Sequence, residues 1–128
     1  IKKARKEYLG AVEKILTPEQ FRQYGVVRKK MMKGMCTDIA EIRLLDLQPQ
    51  IGFSDEQFEK LIPVLSDNLF QVIQIASENS EKQLRPLQKI KLAKKLKYNR
   101  KEAYDKIEAI LTPGQLEKWN EIKDNAGQ

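Results

Sequence analysis

An all-helical fold, an elongated bundle of about five helices, is what this chain of 128 residues predicts, and three observations predict it. Glu, Lys, Gln, Leu and Ala are plentiful while there are only six glycines and five prolines, a helix-favouring composition. Apolar residues recur at three- and four-residue steps, with no strand-type alternation of useful length. Finally, Ile-Leu-Thr-Pro occurs twice, at 15–18 and 110–113, each time followed two residues later by glutamine.

Each copy is a complete helix start. Thr17 caps with its hydroxyl, Pro18 fits the first helical position, and Gln20 closes a capping box from the third. Thr112, Pro113 and Gln115 repeat the device. Leu16 with Phe21, and Leu111 with Leu116, have the spacing of a hydrophobic staple. A degenerate third copy runs from Phe53 to Phe58, with Ser54 and Gln57 as its box.

The first helix is expected over 2–15, with Ala4, Tyr8, Ala11, Val12 and Ile15 on one face. The second begins at Pro18 and follows a stripe of Phe21, Gly25, Met32, Met35, Ile39 and Ile42 to about Asp46, although Gly34 and the Thr37-Asp38 pair permit a break. Pro49 and Gly52 make 47–53 a loop. The third helix, about 55–79, carries Phe58, Leu61, Ile62, Leu65, Leu69, Val72 and Ala76 as a core stripe and bends at Pro63. Val64, Phe70 and Ile75 fall outside that stripe. A helix apolar on two sides needs two partners, so a homodimer is expected with these three residues in or beside the contact. The fourth helix starts near Ser80 or Pro86 and runs to about Ile110, with Leu87, Ile90, Ala93, Leu96, Ala103, Ile107 and Ile110 inward. The fifth is short, from Pro113 to about Lys123.

The similarity between the two Leu-Thr-Pro copies extends upstream of the caps. A shift of 95 residues lays 5–24 on 100–119 with nine identities in twenty positions, among them Arg5-Lys6-Glu7 on Arg100-Lys101-Glu102. Shared capping chemistry does not explain identities that far from a cap, so one supersecondary unit is duplicated.

Charge is uneven. From Lys82 to Lys101 stand nine basic residues and no acidic one, more than the net excess of +6 for the whole chain. Arg28, Lys29, Lys30 and Lys33 lie beside Met31, Met32 and Met35. A solvated helix face is the bland reading of such runs; the missing glutamates raise a surface for anions or client proteins to equal standing. The candidate binding residues are therefore Arg28, Lys29, Lys33, Met31, Met32, Lys91, Lys94, Lys95 and Lys97.

Much chemistry is excluded. With no histidine and one cysteine, neither a Ser-His nor a Cys-His nucleophile exists, and no thiolate zinc site can be built. No phosphate-binding glycine loop is present. Asp55, Glu56 and Glu59 belong to the first turn of a capped helix, where the helix dipole accounts for them. An enzyme is not expected, nor is a cofactor or metal. Cys36 reads first as a small buried hydrophobe and only second as a reactive thiol. No apolar run approaches the ~20 residues of a membrane span.

Leu-Thr-Pro-Glu-Gln, with its Phe-Ser-Asp-Glu-Gln variant, resembles the LTxxQ motif of the Spy/CpxP family of periplasmic stress proteins. In that family one motif opens the long first helix and a second follows the last long one; Phe53–Gln57 and Leu111–Gln115 look like that pair. By length the chain is one helical domain; the resemblance makes 47–128 a family-like unit and 1–46 the tail of a preceding one. It implies an exported or periplasmic location, with any signal peptide outside this chain, and a thin all-helical dimer that holds non-native clients without ATP. The zinc-binding role of histidine-rich relatives does not carry over to a chain lacking histidine. Two other classes stay open: a non-enzymatic helical adaptor or structural dimer, and nucleic-acid binding through the basic helix. The last is disfavoured because no groove-reading module is present.

Overall fold

The computed structural model describes residues 2–79 and 83–126, and these form five α-helices with no strand among them. They are α1 (Lys2–Ile15), α2 (Pro18–Ile51), α3 (Asp55–Asn79), α4 (Pro86–Ile110) and α5 (Pro113–Ala126). At 1.5 Å per residue the 34 residues of α2 make a rod of about 50 Å. The middle helix is α3, which packs on α2 to one side and α4 to the other.

All three expected capping boxes are made. The hydroxyls of Thr17, Ser54 and Thr112 accept from the backbone N–H of Gln20, Gln57 and Gln115 at 3.2, 3.2 and 3.3 Å. In return each glutamine carbonyl accepts from the N–H of its cap residue, at 3.0, 2.9 and 2.9 Å. A fourth start, at Pro86, has only half of the device: Gln88 Oε1 accepts from Arg85 N–H at 2.9 Å, but arginine has no oxygen to complete the box. Ser80 and Lys82 lie outside the described residues.

Several expectations need correction. The second helix does not end near Asp46 or break at Gly34; it continues through Pro49 to Ile51. Pro49 leaves the Leu45 carbonyl without its helical donor, but both residues are exposed, so water can take the place of that bond. Gly52 then ends the helix in the left-handed region (φ 75°) and its N–H bonds to Gln48 O. The Gln48 amide locks the turn, donating to Phe53 O at 2.9 Å and accepting from Phe53 N–H at 2.8 Å. Pro63, by contrast, agrees with expectation in not terminating the third helix: α3 runs on from Asp55 to Asn79 with the proline on its exposed side.

The buried face of α2 is also rotated from the expected stripe. Cys36, Ala40, Leu44 and Ile51 point inward, while Met35 and Ile42 are exposed. In α3, Phe70 and Ile75 are buried inside the chain, and half-buried Val64 packs on the core, so these three do not form a free dimer face. The amino-terminal half of α4 does not bury Leu87 or Ile90, both exposed. Much of the predicted apolar face of α1 is open too, since Tyr8 and Ile15 are exposed.

The core gathers where α2 ends and α3 begins, against the end of α4 and the length of α5: Leu44, Ile51, Phe53, Leu61, Ile107, Leu111 and Trp119. Full burial of Leu44 and Leu61 is worth about 1.5–3 kcal/mol each. Tyr104 meets Trp119 edge to face at 5.4 Å between centroids. Farther along, Thr37 and Ser66 hydroxyls bond at 3.1 Å between α2 and α3, and Asn68 Nδ2 donates to Asn99 O at 3.2 Å between α3 and α4.

Two of the three helix elbows grip each other inside this core region. The Gln57 amide nitrogen donates to Gln115 Oε1 (2.6 Å) and to Ile110 O (3.2 Å). The Gln115 nitrogen does the same in reverse, to Gln57 Oε1 (2.9 Å) and Gly52 O (2.7 Å). Ile110 and Gly52 each stand two residues before their cap, so the four bonds obey an approximate two-fold axis.

Candidate functional site

The sequence-predicted binding residues do not assemble into one patch. Because α2 and α4 flank α3 on opposite sides, their basic clusters belong to different parts of the surface. Three environments result.

On α2, Arg28, Lys29 and Met32 line a cleft of about 470 Å³ with Leu9 of α1, Phe21 and Tyr24 of α2, and Phe70 of α3. The cleft exists because α1 packs on only the start of α2, leaving the groove between α2 and the second half of α3 open above Phe70. Lys29 and Lys33 place their ammonium groups over the Phe70 ring at 6.0 and 5.3 Å from its centroid, within cation–π range. An apolar floor with cationic edges can take a side chain and an acidic group of one ligand together. The Tyr24 hydroxyl donates to Tyr8 OH at 3.4 Å across the mouth, and that bond pushes the Tyr24 hydroxyl pKa upward.

Met31 is not in this cleft. It is 65% exposed and belongs to a stripe that sequence reading missed: Val27, Met31, Met35, Ile42 and Leu45, all exposed, recur at helical spacing on the outer side of α2. The signal was there, since these residues also keep three- and four-residue steps, but α2 is apolar on two faces and periodicity alone does not say which one turns inward.

On α4 the lysines diverge. Lys91 and Lys95 border a shallow groove with Asn79, Leu84 and Leu92; Lys97 lines a separate cleft with Tyr104, Trp119 and Lys123; Lys94 lies between them, exposed. Leu87, Ile90, Lys94 and Tyr98, all exposed, share one side of the helix. Tyr98 OH donates to Glu102 at 3.1 Å, and the carboxylate raises the Tyr98 pKa.

Acidic side chains share these clefts without closing ion pairs on the candidate cations: Glu78 lines both the α2 cleft and the groove of Lys91 and Lys95, and Asp105, Glu108 and Asp124 line the cleft of Lys97. The ion pairs among the described residues are Glu19–Arg22, Glu56–Lys60 and Glu108–Lys123, so none engages Arg28, Lys29, Lys30, Lys33 or a basic residue from Lys89 to Lys101. Cys36 is fully buried, and burial pushes its thiol pKa up, so it is packed as a small hydrophobe. No cluster of three metal-ligating side chains occurs among the described residues, and no helix there is long and apolar enough to cross a membrane.

Structure and surface together define an all-helical protein built on paired capping-box elbows, with apolar side chains exposed among free cations. Set against protein-family models, curated proteins and solved structures, the chain matches none of them.

Proposed function

We propose that this protein holds non-native polypeptide segments on its helical surface without ATP, as the resemblance of its motifs to the Spy/CpxP family implies, in the periplasm or another exported setting. The observation that carries this reading is the outer stripe of α2: five large apolar side chains left in water on one helix, two of them methionines, with Lys29, Lys30 and Lys33 unpaired on the same helix. Exposed apolar side chains grouped on one helix side mark interaction surfaces; here Val27, Met31 and Met35 form one group and Ile42 and Leu45 a second, with exposed Asp38 between them. Methionine suits varied partners because its flexible, polarisable chain adapts to different shapes. The basic residues of α2 attract acidic segments at long range, Lys29 and Lys33 from the cleft side over Phe70, and the apolar strip retains them after contact. Binding of this kind needs no catalytic group, in keeping with a non-enzymatic role.

The test is aggregation of an unfolding acidic client with and without the protein, in the absence of nucleotide. Protection is expected, reduced but not abolished by salt, since exposed charges are screened within about 8–10 Å at physiological ionic strength while apolar contacts persist. Changing Met31 and Met35 together to serine should lower protection of every client. Changing Lys91, Lys94, Lys95 and Lys97 to glutamine should lower it for acidic clients only, with helix content preserved because glutamine propagates helices nearly as well as lysine. Unaltered protection by both variants would overturn the reading. Salt-sensitive binding to DNA with no protection of clients would instead favour the nucleic-acid alternative.

A further inference from the structure

The first half of α4 turns an unusual mixture to solvent. Between Lys89 and Lys101 the chain carries six lysines, one arginine and no acidic residue. Leu87, Ile90 and Tyr98 on the same stretch are 72, 52 and 63% exposed. At roughly 100° per residue Ile90, Lys101, Lys94, Leu87, Tyr98 and Lys91 fall in that order within an arc of about 100°, and Lys95 and Lys97 flank it. The side toward α3 holds half-buried Leu92 and Leu96 and buried Asn99, whose carbonyl accepts from Asn68. The outer face is therefore a separate amphipathic surface about 20 Å long, apolar along its middle and basic along both edges. Its acidic neighbours stand outside it: Glu78 of α3 shares the groove of Lys91 and Lys95 without closing an ion pair, and exposed Glu102 and Asp105 end the basic face beyond Lys101.

We propose that this face of α4 docks on an anionic lipid bilayer, the helix lying along the surface with Leu87, Ile90 and Tyr98 set among the headgroups. Charge complementarity brings it there, because each lysine near a negatively charged lipid surface contributes about 1 kcal/mol. The apolar residues decide between polyanions. Leu87 and Ile90 gain nothing against a sugar-phosphate chain, whereas at the boundary of headgroup and acyl chain they leave water. Lysine predominance points the same way, since planar recognition of phosphates and bases favours arginine and a diffuse negative field is met equally well by ammonium groups. The lysine stems lie along the apolar boundary while their charges stay in the headgroup layer, and Tyr98 offers an apolar ring with a polar tip. Glu102 and Asp105 are repelled by the same surface, so contact stops at Lys101 and the core around Ile107 and Trp119 is left undisturbed. The proposal goes beyond client holding: the α4 lysines are common to both, but the apolar side chains it needs are on α4 and not on the outer side of α2.

Co-sedimentation of the full chain with vesicles of equal parts phosphatidylcholine and phosphatidylglycerol, beside vesicles of phosphatidylcholine alone, tests it. Binding is expected to the anionic vesicles only, and it should weaken as salt is raised. Leu87→Ser combined with Ile90→Ser should raise the apparent dissociation constant at least about tenfold, with helix content by circular dichroism unchanged because both positions are exposed. Met31→Ser combined with Met35→Ser should leave vesicle binding unaltered while lowering client protection, which separates the two surfaces. Absence of binding to anionic vesicles, or equal binding to neutral ones, overturns the proposal. So does undiminished binding by the Leu87 and Ile90 variant, since attachment would then rest on charge alone, and so does a loss of binding in the Met31 and Met35 variant, which would move the contact to α2. Duplex DNA that strips the protein from anionic vesicles at equal phosphate concentration would overturn it in favour of nucleic acid.

Discussion

Gln57 and Gln115 each finish their own helix cap and then reach across to hold the turn that precedes the other's, so two helix starts 58 residues apart are fastened by one amide pair. Both side chains are half-buried, and each amide has its oxygen and nitrogen engaged. Neither half is replaceable alone, because deleting one glutamine leaves the other with donors and acceptors facing protein instead of water.

Gln57→Ala and Gln115→Ala should therefore each cost about 1–3 kcal/mol in urea unfolding. The double variant should cost less than their sum by about 1 kcal/mol, the coupling a double-mutant cycle reads for directly bonded partners. Additive losses would mean that the two amides act only as separate caps.

Thr112→Ala removes a hydroxyl that accepts a single backbone bond at the start of α5. It should destabilise by about 1 kcal/mol, with Thr112→Ser close to the parent. Equal losses for both replacements would refute a capping role.

Burial separates the two sides of α2 and α3. Leu61→Ala empties a fully buried site and should cost about 2–5 kcal/mol. Met35→Ala, at a position 62% exposed, should stay within about 0.5 kcal/mol. If Met35→Ala destabilised as much as Leu61→Ala, the helix would be turned the other way.

Lys123 Nζ lies 2.7 Å from Glu108 and holds that carboxyl below the ordinary glutamate range, the hydrogen bond being the main cause. A depressed folded value means the stabilisation is complete above the ordinary glutamate range and disappears as pH falls through the folded value. Glu108→Gln should cost about 0.5 kcal/mol at neutral pH, the scale of a partly exposed pair. The gap between parent and variant should close in acid. A difference that does not change with pH would assign the effect to packing of the lysine over Tyr104 and Trp119, 5.6 and 6.0 Å away.

Gly52→Ala should cost about 1 kcal/mol from backbone conformation alone, since φ is 75° there and a Cβ would meet nothing within 4 Å. Gly52→Asn should recover part of that loss, because asparagine tolerates the left-handed region better. Wild-type stability in Gly52→Ala would show that the turn relaxes freely.

What could be read before folding was whatever a few neighbouring residues decide. The starts at Pro18, Asp55 and Pro113 are of that kind, since hydroxyl, proline and glutamine act within one turn. Which side of α2 is buried depends instead on α3: the helix is apolar on both sides, so periodicity points Met35 and Ile42 inward although both are exposed. Pro49 and Gly52 together carry the local signature of a loop, although only Gly52 ends α2, while Gln48, which ties Phe53 at both its N–H and its carbonyl, carries no distinguishing local pattern. Among the candidate binding residues, Arg28, Lys29 and Met32 do meet in one cleft. Met31 stands next to Met32 in sequence but on the outer side of α2, and the α4 lysines share only their charge with the cleft, since α3 lies between the two helices.

The placement of α3 between α2 and α4 also governs how the chain reaches its native state. Its main helix pairings join consecutive elements, so each closes only a short connection, and the loop entropy spent before contacts repay it is small. Such topologies reach their transition state quickly, by adding one helix to its predecessor. The packing of α5 on α2 is the exception: the elbow residues bonded there stand 58 to 63 apart, about half of the chain, and it is favoured once α3 and α4 bring the two elbows within reach. Closure of the molecule is thus expected late in assembly, with Trp119 and Leu111 covered only when it occurs.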